Sequence, residues 1–290
     1  MVECRYTVCN SRKTFIYSTI WSINMRRRRG FTLIELLVVI AIIALLMAIL
    51  MPALARVKKQ AQSVTCQAKL KQWGLIFKLY TDDHDGYFNE GWGVGETTLF
   101  PNALRSYYKN DDSMLLCPTA TREMVSDGDW GTFKAAVRTM ATPEGGSRRY
   151  VFSYCINSWT NYMHADRGAR LEEWFWKNVN NAKNMSKIPV LGDGTWHDAW
   201  ARHTDSPSLT MDAFGITDQG TSGEMNHFCI DRHNGFMNML YMDWSIRNTG
   251  LKELWTLKWH RDFDTMGPWT RAGGVMPSDW PRWLQRYKDY

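Results

Sequence analysis

The sequence predicts an α+β protein: a long, kinked amino-terminal helix whose distal half packs on an antiparallel β-sheet head. Three observations predict it. Residues 31–81 carry apolar side chains at helical spacing with one Pro and one Gly among them. Between Gly91 and Leu191, short runs rich in strand-forming residues stop at Gly or Pro. The segment RHNGFMNMLYMDWSIRN, residues 232–248, reads as two strands about a turn.

The chain has 290 residues, enough for one sizeable core. Its formal charge of +6 is concentrated at the front. Residues 1–30 hold seven Lys or Arg and one acidic residue; set against 35 and 29 in the whole chain, this leaves the remainder without net charge. A neutral body lacks the basic face a nucleic-acid binder needs, so no nucleic acid is expected as a partner.

The first element is the apolar run from Phe31 to Met51, whose only charge is Glu35. As a helix it spans about 30 Å of hydrocarbon, so membrane lipid is an expected partner. Four arginines, Arg26 to Arg29, precede it. By the positive-inside rule they stay cytoplasmic and the chain beyond Met51 lies outside. Gly30 sits between the arginines and the apolar run, unlike the cleavage site of a secretory signal, which comes after its apolar region. Met25 opens MRRRRG, so residues 1–24 are expected to lie ahead of the true start.

The stretch RRRRGFTLIE followed by an apolar run resembles the prepilin-type cleavage and methylation motif of type IV pilins and type II secretion pseudopilins. The resemblance implies cleavage by a prepilin peptidase after Gly30 and methylation of the new amino terminus at Phe31. It places the family's glutamate at Glu35 and its helix-kinking proline at Pro52. It also implies that Glu35 pairs with the Phe31 amine of a neighbouring subunit. An ionised carboxylate in a membrane costs several kcal/mol unless it is paired. The plainer alternative is that Glu35 snorkels to the interface of an anchored monomer.

Beyond Pro52 the helix is expected to run to about Tyr80, a rod of about 75 Å in all. Leu54, Val57, Ala61, Val64 and Ala68 form one stripe, continued on a shifted, wider face by Leu70, Trp73, Phe77 and Tyr80. One apolar face of this half is expected to bury against the head. DDHDGYF, residues 82–88, has part of the spacing of a calcium loop, but its distal acid is out of register. A helix stop with Gly86 left-handed is the preferred reading.

In the head, LLCPTA (115–120), YVFSYCIN (150–157) and IPVLGDG (188–194) read as strands, and LEEWFWKNV and LKELWTLKWHRDF as short helices. The Pro- and Trp-rich tail is expected to drape over the sheet. Nine residues separate His233 from Asp243, and with Cys117-Pro118 they resemble the H-X9-DG motif of a processing-associated domain that accompanies prepilin leaders. The family's turn glycine is Trp244 here, so the turn should be wider than, or of another type from, a two-residue type I′ hairpin, which needs positive φ at both positions. His233 is expected to hydrogen-bond near the hairpin and Asp243 to satisfy turn amides. His227, Asp231, His197 and His203 are available by type only. No catalytic residue, metal or cofactor is expected.

Cys66, Cys117, Cys155 and Cys229 form an even set with three possible pairings. Cys66–Cys117, tying helix to head, and Cys155–Cys229 are the expected bridges, a choice that spacing does not dictate.

The expected organisation is a leader over 1–30, a transmembrane helix over 31–51, its amphipathic continuation over 52–81 and a periplasmic head over 82–290. The resemblance implies a non-enzymatic pilin-like subunit, single-pass in the inner membrane. Its partners would be other pilin or pseudopilin subunits and an inner-membrane assembly platform, and its destination a secretion pseudopilus or a filament at the cell surface. The rival readings are a membrane-anchored carbohydrate-binding module that uses its Trp-rich head, and an anchored hydrolase built on His233 and Asp243.

Overall fold

The computed structural model describes residues 31–125, 131–211 and 223–290. Gly30, the arginine run, Cys4 and Cys9 lie outside the described residues. The chain divides into two units, Met1–Met51 and Pro52–Tyr290. Helix α1, Leu33–Asp83, is one 51-residue element whose assignment continues across Pro52.

In the first unit α1 is long and apolar enough to cross a membrane. Every side chain from Phe31 to Met51 is exposed among the described residues.

In the second unit α1 buries Cys66, Leu70, Trp73, Gly74, Ile76, Phe77 and Thr81. Steps of three and four residues put these on one face. Gly74 is where the helix approaches the sheet most tightly, since a Cβ there would lie 3.0 Å from Leu240. The helix ends as the sequence predicts: the Gly86 amide donates to Thr81 O at 2.7 Å with Gly86 at φ +85°, closing α1 with a left-handed residue.

After the four-residue α2, Phe100–Ala103, come β1 (Arg122–Glu123), β2 (Lys134–Ala141), β3 (Ser147–Phe152) and β4 (Tyr154–Asn157). They are followed by β5 (Pro189–Asp193), β6 (Asp198–Ala199), β7 (Phe236–Tyr241) and β8 (Ile246–Gly250). One sheet has the order β1-β2-β3 and the other β6-β4-β5-β7-β8. The pairs are antiparallel except β1 with β2 and β4 with β6. The fold class is therefore the predicted one, a long apolar helix with mostly antiparallel sheets.

Strands β4 and β5 are buried along their whole length, and β7 along all but Phe236, because the larger sheet is covered on both faces. Asn238 and Leu240 of β7 face α1, where the Asn238 side chain accepts from Gln67 Nε2 at 3.0 Å. Met237 and Met239 alternate to the opposite face and pack over Gly192. Phe228 and Trp259 are buried in the same core, with ring centroids 4.5 Å apart.

Three local expectations are corrected. LLCPTA is not a strand: Asp112–Leu115 is a 3₁₀ turn capped by Asp111, and Pro118 lacks a donor. The Cys117 amide is taken by Ser153 Oγ at 2.7 Å rather than by a ladder. Tyr150–Asn157 is two strands, because the chain leaves one sheet for the other at Ser153, whose amide donates to Leu115 O. The two short helices are 3₁₀ turns, Glu172–Trp174 and Lys252–Thr256, although Leu251, Leu254, Trp255 and Trp259 are buried as predicted. The tail does cover the sheet: Trp280 and Leu284 are buried, and the rings of Tyr287 and Tyr290 lie over Gly235 and Gly250 beside β7 and β8.

Candidate functional site

Three places concentrate chemistry. The first is the start of α1. Thr32 N and Oγ1 donate to Glu35 Oε2 at 2.8 and 2.9 Å, and Glu35 N donates back to Thr32 Oγ1 at 3.2 Å. This is a capping box, which satisfies two of the amides a helix start leaves open. The signal was present as T-x-x-E, and reading Glu35 only as a membrane charge overlooks it. Phe31 is exposed beside the cap.

The second is the outer face of α1 in the second unit. Leu54, Val57, Ala61, Val64 and Ala68 are all exposed, which corrects the expectation that they face the head. Only the shifted face from Cys66 onward is buried. Leu75 and Leu79 extend the exposed stripe. Its steps of three, four and seven residues repeat close to every 3.5 positions, the spacing of a helix–helix seam. Both stripes are apolar, and the sequence alone does not say which one the head covers.

The third lies beneath Cys66, the first buried residue of α1. Cys66 Sγ is 3.5 and 3.8 Å from the two Asp193 carboxylate oxygens. His233 Nε2 is 3.1 Å from Asp193 Oδ2 and 3.6 Å from Cys117 Sγ. The four ligand-type atoms lie within 4.8 Å of one another. Four separate pieces of chain supply them: α1, the turn at Pro118, the end of β5 and the loop into β7. Tyr154 OH donates to Cys66 Sγ at 3.3 Å, Thr119 Oγ1 is 3.0 Å from Cys117 Sγ, and the Asn238 amide donates to Asp193 Oδ2 at 2.9 Å. Arg232 completes the surroundings, 3.7 Å from Asp193 Oδ1, its guanidinium donating to the carbonyls of Thr132, Lys134, Ser153 and Gly194.

These neighbours settle the charges. Burial opposes ionisation of Asp193, but the His233 hydrogen bond and charge outweigh it and hold the carboxyl below its ordinary value. Burial would lower His233, yet Asp193 and Cys117 raise it to about 10. Burial would raise Cys117, while hydrogen bonds from Cys66 and His233, with the Arg232 charge, bring it down to about 6. Burial, with Cys117 and Asp193 alongside, pushes Cys66 well above the usual thiol range.

The four head cysteines are free thiols rather than two bridges. Cys66 and Cys117 are neighbours in the cluster. Cys155 and Cys229 are held by different carbonyls, those of Ile156 and Leu251. The His233 side chain turns toward the cluster, while its amide donates to Phe236 O at 3.2 Å at the start of the hairpin, as expected. Asp243 lies at the far end of β7, about 20 Å away for a six-residue strand, so the two do not form one site. Asp243 Oδ1 accepts from Ser245 N at 3.0 Å and from Ser245 Oγ. The turn is wider than two residues: Tyr241 N donates to Ser245 O, and Trp244 takes the left-handed position at φ +62°. Asp193 and Arg232 were missed by sequence reasoning; their signals were the Gly-Asp-Gly strand end and the Arg next to His233.

Residues 25–51 match the model of the prokaryotic N-terminal methylation motif. The chain is similar to the type IV wide pilus major component PilA4 of Thermus thermophilus, 33% identical over 122 residues that make up 42% of this chain and 87% of that protein. No solved structure matches the chain. The likeness takes in nearly the whole of that relative, the methylation motif spans the start of the apolar helix, and that helix leads into a sheet-bearing head: the chain belongs to the type IV pilin family.

Proposed function

We propose that the chain is a structural filament subunit. A prepilin peptidase cuts after Gly30, leaving Phe31 as a methylated amino terminus. The subunit waits in the inner membrane with its head in the periplasm until an assembly platform adds it to a pilus or a secretion pseudopilus. The observation that carries this reading is the apolar surface of α1 that the described residues leave exposed: residues 31–51 and the stripe through Leu54, Val57, Ala61, Val64 and Ala68. The first suits lipid and then neighbouring helices; the second has the spacing of a helix–helix seam. Glu35 would exchange its isolated place in the membrane for the amine of an adjacent Phe31.

The aromatic residues of the head support a structural role. Among the described residues every Trp is buried or half-buried, so none stands out as a stacking platform for a sugar ring. Shearing of cells followed by intact-mass measurement of the recovered filaments tests the proposal. The subunit should be present and should begin at methylated Phe31. Retention of the arginine leader in the mature protein would sink it. Recovery from surface filaments assigns the subunit to a pilus, and confinement to the envelope assigns it to a pseudopilus.

A further inference from the structure

We propose that Cys66, Cys117, Asp193 and His233 form a structural site for one divalent zinc ion that fastens α1 to the head, a property independent of filament assembly. The donor set is two thiols, one imidazole nitrogen and one carboxylate, the ligand types of tetrahedral zinc sites. The spacing fits that ion. Zinc bonds of about 2.0–2.3 Å at tetrahedral angles put neighbouring ligand atoms about 3.3–3.8 Å apart. With Asp193 Oδ2 as the ligand atom, the sulfur–oxygen, sulfur–nitrogen and nitrogen–oxygen separations are 3.8, 3.6 and 3.1 Å, and no pair of ligand atoms is more than 4.8 Å apart.

Two other uses of the same residues fit less well. A Cys–His–Asp relay needs the acid on one ring nitrogen and the thiol on the other. Here both approach Nε2, while Nδ1 is buried without a hydrogen-bond partner. A nucleophile must also be reached, and Cys117 is 1% exposed. A Cys66–Cys117 bridge would leave the convergence of Asp193 and His233 on the pair unexplained.

The charge balance is that of a closed metal site. With zinc bound, its two charges and the Arg232 guanidinium balance Asp193 and the two thiolates, and the protons the ligands give up pass to solvent. The hydroxyls of Tyr154 and Thr119 beside the sulfurs stand where outer hydrogen bonds to zinc ligands are found. A groove of about 780 Å³, lined by Thr119, Arg232, His233 and Asn234, borders the cluster at His233. Four protein ligands leave no open position, so the ion would stabilise rather than catalyse.

The test uses the full chain extracted in detergent. Metal analysis should find about one zinc per chain. After chelation Tm should fall by about 10 °C and recover with Zn²⁺. Replacement by Co²⁺ should give the intense visible bands of a tetrahedral ion with sulfur-to-cobalt charge transfer. These bands should vanish in Cys117→Ser and His233→Ala and persist in Cys229→Ala, whose thiol lies outside the cluster. The unmodified chain decides the matter even if a variant fails to fold. A protein with free Cys66 and Cys117 that gives no such spectrum overturns the proposal. So does a Cys66–Cys117 disulfide in the isolated protein, read as the gain of two hydrogens in mass on reduction.

Discussion

Glu35 caps the helix start and, in the proposed assembly, also pairs with a neighbour's amine, and substitutions can separate the two. As a cap it needs only an oxygen facing Thr32, which Gln also supplies. As the partner of a neighbour's amine it needs a charge. Glu35→Gln should therefore keep the helix start and lose at least tenfold in subunits recovered from sheared filaments. Thr32→Val, which removes the hydroxyl side of the box, should cost about 1 kcal/mol at the helix end and leave assembly near normal. The reverse pattern would make Glu35 a cap and nothing more. A second residue-scale expectation concerns acid. His260 is buried against Trp174, with ring centroids 5.2 Å apart, and burial with the His203, Lys258 and Arg202 charges lowers it to about 3 from 6.5. The unfolded chain then binds a proton between pH 6.5 and 3 that the folded one refuses. This group's stabilising share is whole above pH 6.5 and shrinks as pH falls, by up to about 1.4 kcal/mol per unit. His260→Phe keeps a ring on Trp174, and denaturant titrations from pH 7 to 4 should show a shallower loss of stability. An unchanged slope would place the acid sensitivity elsewhere.

The helix beyond Pro52 shows how far apolar pattern goes and where it stops. Its length, its end at Gly86 and the packing of Leu70, Trp73 and Phe77 follow from spacing alone. The choice between its two stripes does not, because Val57 and Val64 are as apolar as the side chains that bury; only the shape of the sheet selects Cys66 and its neighbours. The same limit governs the cluster. Cys117 and His233 were legible as a motif, whereas Asp193 enters through the antiparallel pairing of β5 with β7, and pairing is a long-range fact. LLCPTA failed as a strand because its Cys117 amide donates to Ser153 Oγ and its Leu115 carbonyl accepts from Ser153 N, across a sheet boundary that no local propensity records. The two stripes give opposite expectations on substitution. Val57→Glu with Val64→Glu should leave the Tm of the isolated subunit within about 2 °C, since both are exposed, and should abolish filament recovery. Leu70→Ala, at a fully buried position, should cost about 2–5 kcal/mol in chemical denaturation. A large loss of stability in the double valine variant would mean that the stripe packs within the subunit.

For the molecule as a whole, the position of the core decides what the amino-terminal segment does. Among the described residues every buried hydrophobic side chain lies at Cys66 or beyond, and every side chain from Phe31 to Met51 is exposed. The membrane segment should then contribute to location and assembly but little to the stability of the head. A chain beginning at Pro52 removes no buried side chain among the described residues, and it sheds an apolar surface that water does not tolerate. It should be monomeric without detergent by light scattering. It should unfold in one cooperative transition, with a Tm within about 3 °C of the full chain in detergent. Full-length protein stripped of detergent should aggregate. A truncated head that is molten, or that melts far below the parent, would show that the first unit is part of the folding core, and the division between a self-sufficient head and an assembly helix would fail.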